Sequence, residues 1–120
     1  MGARGFVKLD LQEREGVSIL VLSGRLVVGG DEQLREAINT LLASGRTRIL
    51  VDFGEVTYMD SAGIGELVSS YRTAKRFGGA LKILNPGKRI EDSFKVTNLL
   101  PMFEIFEDED AAIASFASAE

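Results

Sequence analysis

The sequence predicts an α/β domain built on a mixed β-sheet, and three observations carry that reading. Two strand-like segments open the chain, and strands then alternate with helix-like segments, the order that gives parallel strands joined by right-handed crossovers. The run Thr47–Phe53 is mostly apolar and bounded by turn residues, as a strand covered on both faces is. Finally, 120 residues with 45% hydrophobic and 27% charged side chains and only 2 prolines suffice for one core, so residues 1–120 read as a single domain.

Taken in order, Phe6–Leu11 and Val17–Ser23 form an antiparallel pair across the polar hairpin stretch Gln12–Gly16. A flexible stretch, Gly24–Gly30, leads to Asp31 as N-cap and to Leu34, Ala37, Ile38, Leu41 and Leu42 at helical spacing, with a stop near Gly45. Beyond the Thr47–Phe53 strand, Ile64, Leu67, Val68 and Tyr71 mark one face of the strongest helix. Arg72, Lys75 and Arg76 complement its C-terminal dipole, and Gly78-Gly79 ends it. Ala80–Leu84 is a short strand that Pro86 breaks. Ile90, Phe94 and Thr97 outline a weaker helix ended by Pro101, Met102–Phe106 a last edge strand, and Asp108–Phe116 a small amphipathic helix docking on what remains exposed. The apolar helix faces are too few for two broad layers, so the helices are expected mainly on one side of the sheet.

Composition closes several chemistries. Neither Cys nor His occurs, which removes disulfides, thiolate nucleophiles, zinc-thiolate sites and every imidazole base. A formal net charge of -4 argues against binding phosphate backbones, so nucleic acid is not an expected partner. The longest apolar stretch, around Val17–Leu22, is far below spanning length, and Phe6 stands where a myristoylation motif after Gly2 wants Ser or Thr; a cytoplasmic protein without membrane insertion is expected. No P-loop occurs, and Gly63-Ile64-Gly65 has Val68 where a dinucleotide fingerprint needs its third glycine. Asp52 and Asp60 lack the neighbouring acids of a metal or phospho-acceptor site and read as a strand-end residue and a cap. Glu107-Asp108-Glu109-Asp110 reads as a solvated helix start. No catalytic residue, metal or cofactor is expected, and a small phosphate- or nucleotide-handling enzyme is the weakest reading.

The segment Tyr58–Gly65 breaks local rules. Whether Asp60 or Ser61 caps the second helix, no capping box follows, and two glycines fall in the first turns at a cost of about 1 kcal/mol each relative to Ala. Small residues beside a helix N-terminus let another molecule approach the backbone, and the free N–H groups there favour an anion such as phosphate. The same residues also fit an ordinary capped helix tucked under a neighbouring strand. A nucleophile elbow is excluded, since Met59 replaces its leading Gly and no His can activate Ser61.

Val51-Asp52-Phe53 through Met59-Asp60-Ser61-Ala62-Gly63-Ile64-Gly65-Glu66-Leu67, followed by Gly78–Pro86, resembles the STAS domain of bacterial anti-sigma factor antagonists. The framing agrees: an early strand ending in Gly24-Arg25-Leu26, and Phe103–Phe106 before an acidic, alanine-rich last helix. The resemblance covers nearly the whole chain and implies partner switching. The unphosphorylated antagonist binds an anti-sigma factor that is also a serine kinase, freeing the sigma factor; phosphorylation of the serine after the motif Asp ends that binding, and a PP2C-type phosphatase resets it. By position that serine is Ser61, and the implied partner contacts are Asp60, Ser61, Ala62, Gly63, Gly65, Val27 and Val28. Ala62 stands where a second Ser is frequent, and Val27 where an Asp often follows the early strand. The latter leaves Leu26-Val27-Val28 apolar, with core packing as the competing explanation. The alternative is a STAS subunit that is never phosphorylated, a scaffold or a component of a lipid-transport complex; retention of Ser61 favours the switch.

Overall fold

Five strands form one sheet in the order β1-β2-β3-β4-β5, antiparallel between the first two and parallel thereafter, as expected. The computed structural model describes residues 7–96, 98 and 100–118; Phe6 and Thr97, read above as strand and helix positions, lie outside them. The elements are β1 (Lys8–Arg14), β2 (Val17–Leu26), α1 (Asp31–Ala43), β3 (Arg48–Met59), α2 (Ser61–Arg76), β4 (Ala80–Leu84), α3 (Gly87–Val96), β5 (Ile105–Phe106) and α4 (Glu109–Ser118).

The strand alternation sorts the core into two layers. Leu20, Leu22, Ile49, Val51, Phe53, Leu81 and Ile83 face α1, α2 and α3 on one side of the sheet. Val17, Ile19, Leu50 and Leu84 face α4 alone on the other, against Ala112, Ile113 and Phe116. Three helices therefore share one face, and the last covers part of the second. β3 is buried on both faces at Ile49, Leu50, Val51 and Phe53, the behaviour its apolar run predicts.

Several boundaries differ from the sequence reading for identifiable reasons. The hairpin loop is only Glu15-Gly16, with φ of +51° and +81°, so Gln12, Glu13 and Arg14 belong to β1; they read as loop because an exposed edge strand is polar. β2 runs on through Gly24-Arg25-Leu26, where Gly24 adopts φ +96° beside a register shift. Gly30 rather than Asp31 holds the N-cap position of α1. β3 continues six residues past Phe53, because Glu55–Met59 pairs with the extension of β2. Leu100–Met102 is a 3-10 turn around Pro101 and the last strand keeps only Ile105–Phe106, since Phe103 turns inward onto Tyr71 and Phe94. α2 buries Gly63, Glu66, Leu67, Ser70 and Ala74 most deeply, with Ile64, Val68 and Tyr71 half-buried on its flank. Glu66 is tolerated inside because Arg35 of α1 and the Ser70 hydroxyl both donate to its carboxylate, at 3.1 and 3.0 Å.

Candidate functional site

The parallel strands β2 and β3 end side by side, Leu26 paired with Met59, and both side chains are buried. The chain leaves β3 through Asp60, which caps α2 from extended backbone. Its Oδ1 accepts from the N–H groups of Ala62 and Gly63 at 3.0 and 3.1 Å. Its Oδ2 accepts from the N–H of Val28 at 3.2 Å, and its own N–H donates to the carbonyl of Leu26 at 3.2 Å. One residue thus joins the helix start to the loop after β2. A turn closed by the Gly30 N–H on the Val27 carbonyl, 2.9 Å, holds that loop.

On this frame the predicted residues divide. Ser61 is exposed at the first helical position, with no acidic side chain in the first turn. Ala62 and Val27 are half-buried, and Val28 is 70% exposed beside the Asp60 carboxylate. Gly63 is buried: a Cβ there would stand 2.4 Å from the Leu26 carbonyl oxygen and 2.9 Å from Met59 Cγ. Packing alone accounts for that glycine, and likewise for Leu26, which is fully buried. Gly65 is the opposite case, exposed, with nothing within 4 Å of a Cβ placed on it. No contact within the described residues requires a glycine there.

Two neighbours of this surface escaped the sequence reading. Ile64 borders a groove of about 300 Å³ with Arg89, Asp92, Ser93 and Val96 of α3, and Val96 is 84% exposed. Its signal was phase: Val96 lies well off the Ile90/Phe94 stripe that α3 buries. At the ends of β2 and β3, the Arg25 guanidinium sits 5.2 Å from the centre of the Tyr58 ring. Asp52 does not join Asp60. Its Oδ1 accepts from the Gly54 N–H at 2.9 Å, and roughly 25 Å of strand separates the two. Among the described residues no cluster of acids could hold a metal ion. The other candidate serines of α2 are placed differently, Ser70 buried against Glu66 and Ser69 exposed in the helix interior.

Residues 8–112 match the sequence model of the STAS domain. The anti-sigma-B factor antagonist of Bacillus subtilis is 26% identical over 107 residues, which span 89% of this chain and 97% of that protein. Among solved structures, the anti-sigma factor antagonist SpoIIAA in its unphosphorylated form superposes with a TM-score of 0.80 at 26% identity, over 92% of this chain and 97% of that one. The Bacillus cell fate determinant SpoIIAA in its phosphorylated form gives 0.71 at 26% identity, over 90% and 98%.

Proposed function

This chain belongs to the STAS-domain family, its relatives are named anti-sigma factor antagonists, and we propose that it acts as one, switched by phosphorylation of Ser61. The partner is an anti-sigma factor with serine-kinase activity, bound by the unphosphorylated form so that a sigma factor is released; a PP2C-type phosphatase restores that form. The chain itself catalyses nothing in this scheme. Among the described residues no helix is long and apolar enough to cross a membrane.

The observation that carries the proposal is the Asp60 clamp. It fixes the first turn of α2 against the Val28 loop, while Ser61, Val28 and Gly65 all stay exposed. The small outward residues admit a partner's backbone, and Val28 offers it apolar surface. A phosphate on Ser61 brings about -1.5 to -2 charges next to the Asp60 carboxylate. In the free protein, water and the positive end of the helix dipole stabilise it. Inside a complex it would be desolvated beside another anion, which costs several kcal/mol and lowers affinity at least a hundredfold, at about 1.4 kcal/mol per tenfold. That SpoIIAA has been solved with and without phosphate supports a switch of this kind.

Incubation with ATP and the cognate kinase, followed by mass spectrometry, is expected to place a single phosphate on Ser61, and Ser61→Ala to abolish it while binding the anti-sigma factor persistently. Modification elsewhere, or undiminished labelling of Ser61→Ala, would sink the assignment. A Ser61 that no kinase modifies would favour the unphosphorylated scaffold.

A further inference from the structure

The two edges of the sheet are unequal. β5 offers two residues, whereas β1 offers seven, without a proline and in unbroken register with β2. Edge strands of that length usually carry a device that blocks further pairing, and here only the charged side chains of Lys8, Asp10, Glu13 and Arg14 could serve as one. The Glu15-Gly16 loop, with positive φ at both residues, is a type I′ turn, so Arg14 and Val17 form a hydrogen-bonded pair. Counting back, Lys8, Asp10, Gln12 and Arg14 turn their peptide groups to β2. Leu9 and Leu11 turn theirs to the open edge. Their side chains lie on the α1 face of the sheet, with Leu11 46% exposed, bordering a groove of about 1090 Å³ with Val7, Leu20, Ala37 and Leu41.

We propose that this edge pairs antiparallel with β1 of a second copy, the two-fold axis passing through Leu9. Such an axis keeps each face of the sheet on its own side, so opposite residues must share a face. Centred on Leu9, the two Leu9 residues exchange their outward N–H and C=O groups, and Leu11 of each copy comes to the end of the other's β1, next to the buried Val7 that precedes it. On the far face Lys8 of each copy lies opposite Asp10 of the other, two complementary pairs. Other centres do worse. An axis through Leu11 sets Lys8 against Arg14 and Leu9 against Glu13, an axis through Asp10 sets two carboxylates together, and an axis through Gln12, though it pairs Asp10 with Arg14, sets Leu11 against Glu13 and calls on an Arg14 already held by Glu109 and Asp110. The charge order of Lys8-Leu9-Asp10-Leu11 therefore complements itself in one register, which is the reason for choosing a second copy over an unrelated strand. Asp60 and Ser61 follow β3, two strands away, so pairing at β1 leaves them open and each dimer presents them twice, whereas the Val28 loop, whose Gly30 lies beside Val7, borders the interface.

Sedimentation equilibrium of the full chain is expected to give a monomer–dimer equilibrium at concentrations up to about 1 mM. Lys8→Glu and Asp10→Lys should each weaken it about tenfold by placing like charges opposite one another. An equimolar mixture of the two variants should recover association as a heterodimer, as should the double variant alone, with thermal midpoints near wild type throughout. A wild-type chain monomeric across the range, single variants that associate normally, or a mixture of folded variants that stays monomeric would each overturn the proposal.

Discussion

The starts of α2 and α4 are built from the same cap and put to different use. Asp60 accepts from the N–H groups two and three residues on; Asp108 accepts from the Ala111 N–H at 2.8 Å. After Asp108 come Glu109 and Asp110, acids that complement the helix dipole, and Arg14 of β1 binds both. Those two carboxylates in turn push the Arg14 guanidinium above its ordinary pKa. After Asp60 come Ser61 and Ala62, which leave the same positive end without a charge of its own. At the third helical position Ala111 is exposed, where Gly63 is buried against Leu26. A helix start made for stability fills its first turn with acids. The start of α2 keeps that turn small and neutral, as the proposed phosphorylation of Ser61 would require, and presses it tightly on the strand beneath.

The largest test of this contrast is the third position. Gly63→Ala must push a methyl against the Leu26 carbonyl, a main-chain atom held between paired strands, and should destabilise the domain by about 3 kcal/mol despite the better helix former. Ala111→Gly should cost about 1 kcal/mol from propensity alone. Urea titration of both variants checks the pair, and a Gly63→Ala protein as stable as wild type would show that the close approach does not constrain the site.

How far the sequence could anticipate this follows from the same residues. The antiparallel start and parallel continuation of the sheet, the buried β3 and a cap at Asp60 or Ser61 were legible because periodicity, turn residues and capping are local. That Gly63 and Gly65 serve opposite ends was not. Both are glycines in one helix, and only the register Leu26↔Met59, a contact between segments 33 residues apart, shows which one lies under a strand. Burial of Glu66 was hidden for the same reason, its partner Arg35 lying on another helix. Val28 was apolar in a loop, a fact compatible with core or surface until its 70% exposure was known.

The next largest effect concerns charge at the first helical position. Ser61→Asp should bind the anti-sigma factor at least a hundredfold more weakly, while the free domain keeps or slightly gains stability from an acid at a helix N-terminus. Glu109, at the same position of α4, already enjoys that arrangement. Calorimetric titration against the partner, with thermal melts of the free protein, separates the two. Tight binding by Ser61→Asp would remove electrostatics from the mechanism.

The caps themselves differ by less. Asp108→Ala should lose about 1 kcal/mol, the usual cost of an N-cap. Asp60→Ala should lose about 2 kcal/mol, because three backbone N–H groups rather than one give up their acceptor, and the Val28 loop is released with them. Amide hydrogen exchange should then quicken at Val28 in Asp60→Ala and nowhere outside α4 in Asp108→Ala. Equal losses would mean that the loop tether adds nothing.

The smallest change in stability is the most informative about function. Gly65 stands inside α2 with open space around it, so Ala there removes backbone freedom from the unfolded chain at no steric cost and should stabilise the domain by up to about 1 kcal/mol. The fold gives no cause for a glycine where Ala would be better, and under the proposed function a partner that approaches the helix backbone beside Ser61 would be one. Gly65→Ala should therefore raise the thermal midpoint while weakening the anti-sigma factor complex, and Gly65→Leu should weaken it further. Stability and binding would move in opposite directions, which no packing defect can produce. If both variants bind as wild type does, the contact surface ends before this residue and is confined to Ser61, Ala62 and the Val28 loop.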